Sequence, residues 1–189
     1  MVSSTAEAHQ IIADSGIADE KRYFGPHGDQ PLGAGVIYKS VRHPIYVPDK
    51  KLFATASGYV YVITHECDLA QDNERVLNGD ALVCPILPFE KFYDHIVANM
   101  PSEKRKGFLS ALASRLIHRL MYLPTVNEHL PFGGVLNLNT ITSINIECFE
   151  LDDAAMIACL SAHGLQQVDW VVQNHMFRPK SSTLPLTRH

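Results

Sequence analysis

Two apolar runs separated by a polar interval dominate the middle of the chain. "GYVYVIT" (58–64) and "DALVCPIL" (80–87) are β-branched, aromatic and apolar, and "QDNERVLNGD" between them carries the turn signal Asn78-Gly79. The pattern predicts two adjacent antiparallel strands. On the first, Val60, Val62 and Thr64 share one face, while Tyr59, Tyr61, Ile63 and His65 share the other. Both faces are largely apolar, which suits a central strand of a closed or covered sheet.

The same reading extends outward. "TAEAHQIIADSG" predicts a short helix closed by Gly16, and "GVIYKSV" from Gly35 predicts a strand. "RHPIYVPDKKLFATASG" contains two prolines, which confine it to an edge or loop. "PSEKRKGFLSALASRLIHRL" (101–120) predicts a helix with Ser102 as N-cap and an apolar stripe of Phe108, Leu109, Leu112 and Leu116. "LMYLP" and "GGVLNLNTITSINIECFEL" are strand candidates, and "AAMIACL" suits a strand or a helical turn. Ser161 caps a closing helix with Leu165, Val168, Val172 and Met176 on one side. These elements divide the chain into an N-terminal extension (1–32), a domain (33–177) with a helical insertion at about 90–120, and a loose tail (178–189). Short strands and a late helix indicate an α+β fold built on a small antiparallel β-barrel.

Composition narrows the partners. The 189 residues are 46% hydrophobic with a net charge of −4, so any attraction to nucleic acid must be local. No apolar run approaches a membrane span, and the first residues lack the charged start and apolar core of a signal peptide. The four cysteines, Cys67, Cys84, Cys148 and Cys159, contain no CxxC pair, which points to reduced thiols and a cytoplasmic location. Cys84 and Cys159 lie in apolar runs, and Cys67 alone has polar neighbours, so Cys67 is expected to be the most reactive thiol.

Four segments, "YVYVIT", "LVCPIL", "LNLNTITSI" and "LSAHGLQQVDWVVQ", follow one another in the manner of the PemK/MazF-like toxins. The resemblance covers roughly Gly33 to Met176, with the 90–120 helix as an insertion. It implies an SH3-like barrel and RNA cleavage. It does not carry over a catalytic arginine, because "ATASG" stands where that family has Arg-Pro. "ITHECDLA" also resembles a recurring S/T-H/Q-x-C-D-L/I signature of uncharacterised bacterial proteins.

The chemistry gathers where the first apolar strand ends. Thr64, His65, Cys67 and Asp68 form the candidate catalytic cluster. An imidazole near a thiol favours the nucleophilic thiolate, and Asp68 can orient the ring. The partner of Cys67 can instead be His118 or His129, brought in by folding. The plainer alternative has Cys67 packed into the barrel, His65 exposed and Asp68 capping the turn. A zinc site built from His65, Cys67, Asp68 and Cys84 lacks the second close pair of a structural site, so no metal or cofactor is expected. HExxH, Walker and GxGxxG motifs and the deaminase P-C-x-x-C are absent.

Lys104, Arg105, Lys106, Arg115 and Arg119 stand against a lone Glu103 in the predicted helix. With Lys104, Arg115 and His118 on one flank, this segment is the candidate phosphate-binding surface, or else a solvated helix face. Asn137, Asn139, Ile141 and Ser143 alternate with Leu136, Leu138, Thr140 and Thr142, a row suited to reading a base or to facing water. Two functions fit: a toxin- or defence-type hydrolase acting on RNA or a nucleotide, or a non-catalytic module binding nucleic acid, a protein partner or a second copy.

Overall fold

The structure, a computed structural model, describes residues 2, 4–16, 19–26, 30–70, 79–151 and 153–176. The helices are α1 (Thr5–Ala13), α2 (Glu20–Tyr23), α3 (Glu66–Leu69), α4 (Phe89–Phe92), α5 (Ser102–Ala113) and α6 (Ala162–Met176). The strands are β1 (Phe24–Gly25), β2 (Val36–Val47), β3 (Leu52–Val62), β4 (Asp80–Pro88), β5 (Leu120–Leu123), β6 (Gly134–Asn137), β7 (Thr142–Asn145) and β8 (Ala155–Leu160). They form one antiparallel sheet in the order β1-β8-β2-β3-β4-β6-β5, with β7 also paired to β4. The fold is α+β. Among the described residues the end strands β1 and β5 do not pair with each other, so the sheet is open where a closed barrel was expected.

The two apolar runs are neighbours, as their pattern predicts, with antiparallel register from Tyr59↔Ile86 to Val62↔Val83. The segment joining them, including Asn78, lies outside the described residues, as does the tail from 178. Both faces of β3 are covered at its C-terminal end, from Tyr59 on. Val60 and Val62 join one buried cluster, Tyr61 joins another, and Tyr59 and Ile63 pack against the latter.

The proline-bearing piece is a strand pair. Arg42↔Ser57 through Val47↔Leu52 extend β2 and β3 into a long hairpin arm, turned by Pro48–Lys50 and a left-handed Lys51. Pro44 is tolerated because β2 pairs with β8 only as far as Lys39, which leaves one side of the arm open. The Asn/Thr row also departs from a single strand. A 3₁₀ turn at Leu138–Thr140 separates β6 from β7, and the Asn137 side chain accepts from the Asn139 amide at 3.2 Å.

The inserted helix is shorter than its periodicity predicts. Pro101, not Ser102, occupies the cap position, and α5 stops at Ala113 before Arg115 turns left-handed. Leu109 and Leu112 are fully buried, whereas Leu116 is 69% exposed beyond the helix end. Chain continuing as helix would consume Leu120–Leu123, which instead pair with β6. Against α5 packs α1, capped by Ser4 and closed at Gly16, burying Ala8 and Ile12 with Phe89, Phe92 and Tyr122. "AAMIACL" resolves as β8, and Ser161 Oγ accepts from the Gly164 amide at 3.1 Å to start α6. Leu165, Val168 and Val172 of α6 face the main core, while Met176 is 55% exposed.

Candidate functional site

The rim turn follows β3. Thr64 Oγ1 accepts from the Leu82 amide at 2.7 Å, which ties the end of the strand to β4. His65 caps α3, its Nδ1 accepting from the Cys67 amide at 3.3 Å, a role expected of Asp68. The same nitrogen lies 3.4 Å from Glu66 Oε2. The amide needs the ring's lone pair and the carboxylate needs a ring proton, so the nitrogen serves one of them at a time. Cys67 is exposed, not packed into the core. His65 therefore meets the backbone of Cys67. His118 is exposed in the turn before β5, and His129 lies beside Tyr59, whose hydroxyl donates to the His129 carbonyl at 2.9 Å.

The turn is seated tightly. A Cβ on Gly33 would fall 2.6 Å from Glu66 Cβ and 2.8 Å from the Glu66 amide nitrogen, so only glycine lets the two segments meet. Burial pushes the Cys84 thiol up to about 12, and it raises Cys159, with a further push from the charge of Glu66. Both are held as neutral thiols at physiological pH.

The basic segment is dispersed. Arg105 is a structural clamp, with Nη2 donating to Ala98 O at 2.7 Å, Nη1 to Val2 O at 2.9 Å and Nε to Met100 O at 3.1 Å. Arg115 lies outside the helix and donates to Gln167 of α6. Lys104 and Lys106 remain exposed on α5, and Arg119 is exposed next to β5. The expected flank of Lys104, Arg115 and His118 does not form, because the helix ends before two of its members.

A groove of about 700 Å³ opens between the β2–β3 arm and the strands β4 and β6. Its arm wall carries Tyr46 and Phe53, 54% and 76% exposed, with ring centroids 5.4 Å apart. Ile86, Val135 and Ile141 supply apolar surface, and Asn137, Asn139, Thr140 and Thr142 supply a polar margin. Among the described residues Lys91 is the one fully charged side chain of the lining, and no carboxylate lines it. His43 also lines it, 6% exposed, with Nδ1–H donating to Val41 O at 3.0 Å. That bond assigns the ring proton to Nδ1 and leaves Nε2 as an acceptor.

None of residues 64–68 lines the groove. The groove's exposed rings sit on the arm, about 30 Å of extended strand from Val62, and Tyr59 carries the lining back to within three residues of it. Sequence reasoning passed over the groove's arm, although a signal was present. Ile45-Tyr46 and Leu52-Phe53 flank one turn, and adjacent apolar residues point to opposite faces, so a two-stranded arm cannot bury them all. No family model matches the chain, and no curated protein matches it. No helix among the described residues is long and apolar enough to cross a membrane.

Proposed function

We propose that the chain binds single-stranded RNA, or a nucleotide, in the groove beside the β2–β3 arm. One observation carries this reading: a ligand-sized groove with an exposed aromatic wall, an amide and hydroxyl margin, one lysine and no carboxylate. Bases stack on Tyr46 and Phe53, where every base offers a π-face. Asn137 and Asn139 reach base edges, and Lys91 meets phosphate. The absence of carboxylates from the lining among the described residues suits an anionic ligand on a chain of net −4. The PemK/MazF-like resemblance points the same way, toward an SH3-like, toxin- or defence-type protein of the cytoplasm.

Binding of a fluorescently labelled RNA oligomer at low salt tests the reading. Wild type should bind, and Phe53→Ala should bind about 5- to 100-fold more weakly, the range expected for one lost stacking platform. If wild type binds no RNA or nucleotide, the groove belongs to a protein partner or a second copy.

A hydrolase reading is favoured by one separate feature, the exposed Cys67 beside His65. An RNA and nucleotide cleavage screen of wild type against Cys67→Ala decides it: activity lost in the variant supports the hydrolase, and equal activity rejects it.

A further inference from the structure

We infer that the rim turn His65–Cys67 binds a borderline divalent metal ion, zinc or cobalt, independently of what occupies the groove. His65 Nδ1, a Glu66 carboxylate oxygen and Cys67 Sγ all lie within 4.8 Å of one another, one nitrogen, one oxygen and one sulfur donor. This mixed set suits zinc or cobalt, whereas magnesium and calcium select all-oxygen sites.

The geometry around His65 favours a cation in a specific way. The Cys67 amide donates to Nδ1, which selects the tautomer protonated on Nε2 and keeps Nδ1 a base. Glu66 Oε2 faces that same nitrogen at 3.4 Å. Two acceptors at this distance repel, and a metal ion between them turns the repulsion into two bonds. It displaces a long 3.3 Å hydrogen bond from Nδ1.

The turn is also anchored before any ion arrives. Thr64 is tied to β4 on one side, and the Gly33 backbone meets Glu66 on the other. The donors are thus carried on a turn held at Thr64 and Glu66. The side chains of His65 and Glu66 are 59% and 44% exposed, so an ion here keeps a solvent-facing position. Three protein donors with one open position is the arrangement of zinc sites that hold a reactive water. Cys67 binds as the thiolate and its proton leaves to solvent, so binding strengthens as pH rises.

Cobalt(II) titration of the full chain tests the assignment through the thiolate-to-cobalt charge-transfer absorption. Wild type should develop that band and saturate at one equivalent, and zinc should bleach it. Cys67→Ser should lose the band, and His65→Ala should bind more weakly with altered ligand-field absorption. The Cys67 side chain is exposed, so Cys67→Ser should keep the wild-type melting temperature, and His65→Ala, which loses the α3 cap, should lower it by a few degrees at most while the chain stays folded. No thiolate band with excess cobalt overturns the site. So does a band that persists in Cys67→Ser, or one that His65→Ala leaves unchanged in intensity and affinity.

Discussion

The rim turn and the groove are both fed by β3, yet they are built from opposite materials. The rim concentrates reactive groups, His65, Glu66, Cys67 and Asp68, on one exposed turn held by Thr64 and Gly33. The groove concentrates shape: aromatic rings on a projecting arm, an apolar floor, amides and a single lysine. Reactive residues close together in sequence draw attention to the first. Only pairing and exposure bring the second together, since its lining spans His43 to Thr142. A cluster of chemistry and a place for a ligand are separate properties, and in this molecule they share no residue.

Substitutions that separate the two regions should rank as follows. Removing both arm rings, Tyr46→Ala with Phe53→Ala, should have the largest effect, weakening RNA by about 1–3 kcal/mol for each stacked base lost. Both rings are exposed, so the unfolding midpoint should stay close to wild type. Equal binding by this variant would remove the groove from the account.

Arg105→Ala comes next and acts on stability. Its guanidinium satisfies three carbonyls, and its loss should cost about 2–3 kcal/mol in urea unfolding, whereas Lys104→Ala and Lys106→Ala should each stay within about 0.5 kcal/mol. RNA binding that falls with the two lysines while folding holds would restore α5 as a phosphate surface.

Lys91→Ala should produce a smaller change. Losing one phosphate contact on a single strand flattens the slope of log K against log salt by about 0.7. An unchanged slope would place Lys91 away from the ligand.

Thiol labelling sharpens the other region. Timed alkylation with peptide mapping at pH 8 should modify Cys67 before Cys84 and Cys159, because burial disfavours their thiolates and leaves Cys84 ionising only near 12. Alkaline pH should also weaken folding. The unfolded chain ionises Cys84 from the ordinary value of 9.0 upward while the native state retains its proton, so stability falls as pH rises through this window. Faster labelling of Cys84 would contradict the burial argument.

Much of the fold was legible because local patterns and tertiary packing agree. The β3–β4 pair, the Ser161 cap with its helix, and the short α1 closed by Gly16 all follow from periodicity and punctuation. Where they failed, a non-local partner decided. Helical spacing runs on to Leu120, but pairing with β6 claims that residue and ends α5 early. Two prolines left 42–58 as an edge or a loop, and it is the edge: an arm paired on one side only, which accommodates Pro44. The Asn/Thr row was visible as polar, yet only the 3₁₀ turn at Leu138–Thr140 aims its members toward one groove. The rim residues were legible as a group, and their contacts were not: His65 capping the Cys67 amide depends on how the chain turns after Thr64.

The central claim is that ligand meets the arm and not the rim or α5. Ultraviolet crosslinking of a single-stranded RNA to the full chain, followed by peptide mapping, tests it most directly. The account predicts crosslinks at Tyr46, Phe53 and Tyr59, lost in Phe53→Ala at that position and unaffected by Cys67→Ala. Crosslinks confined to 65–68 or 104–119, or none under low salt, would contradict it.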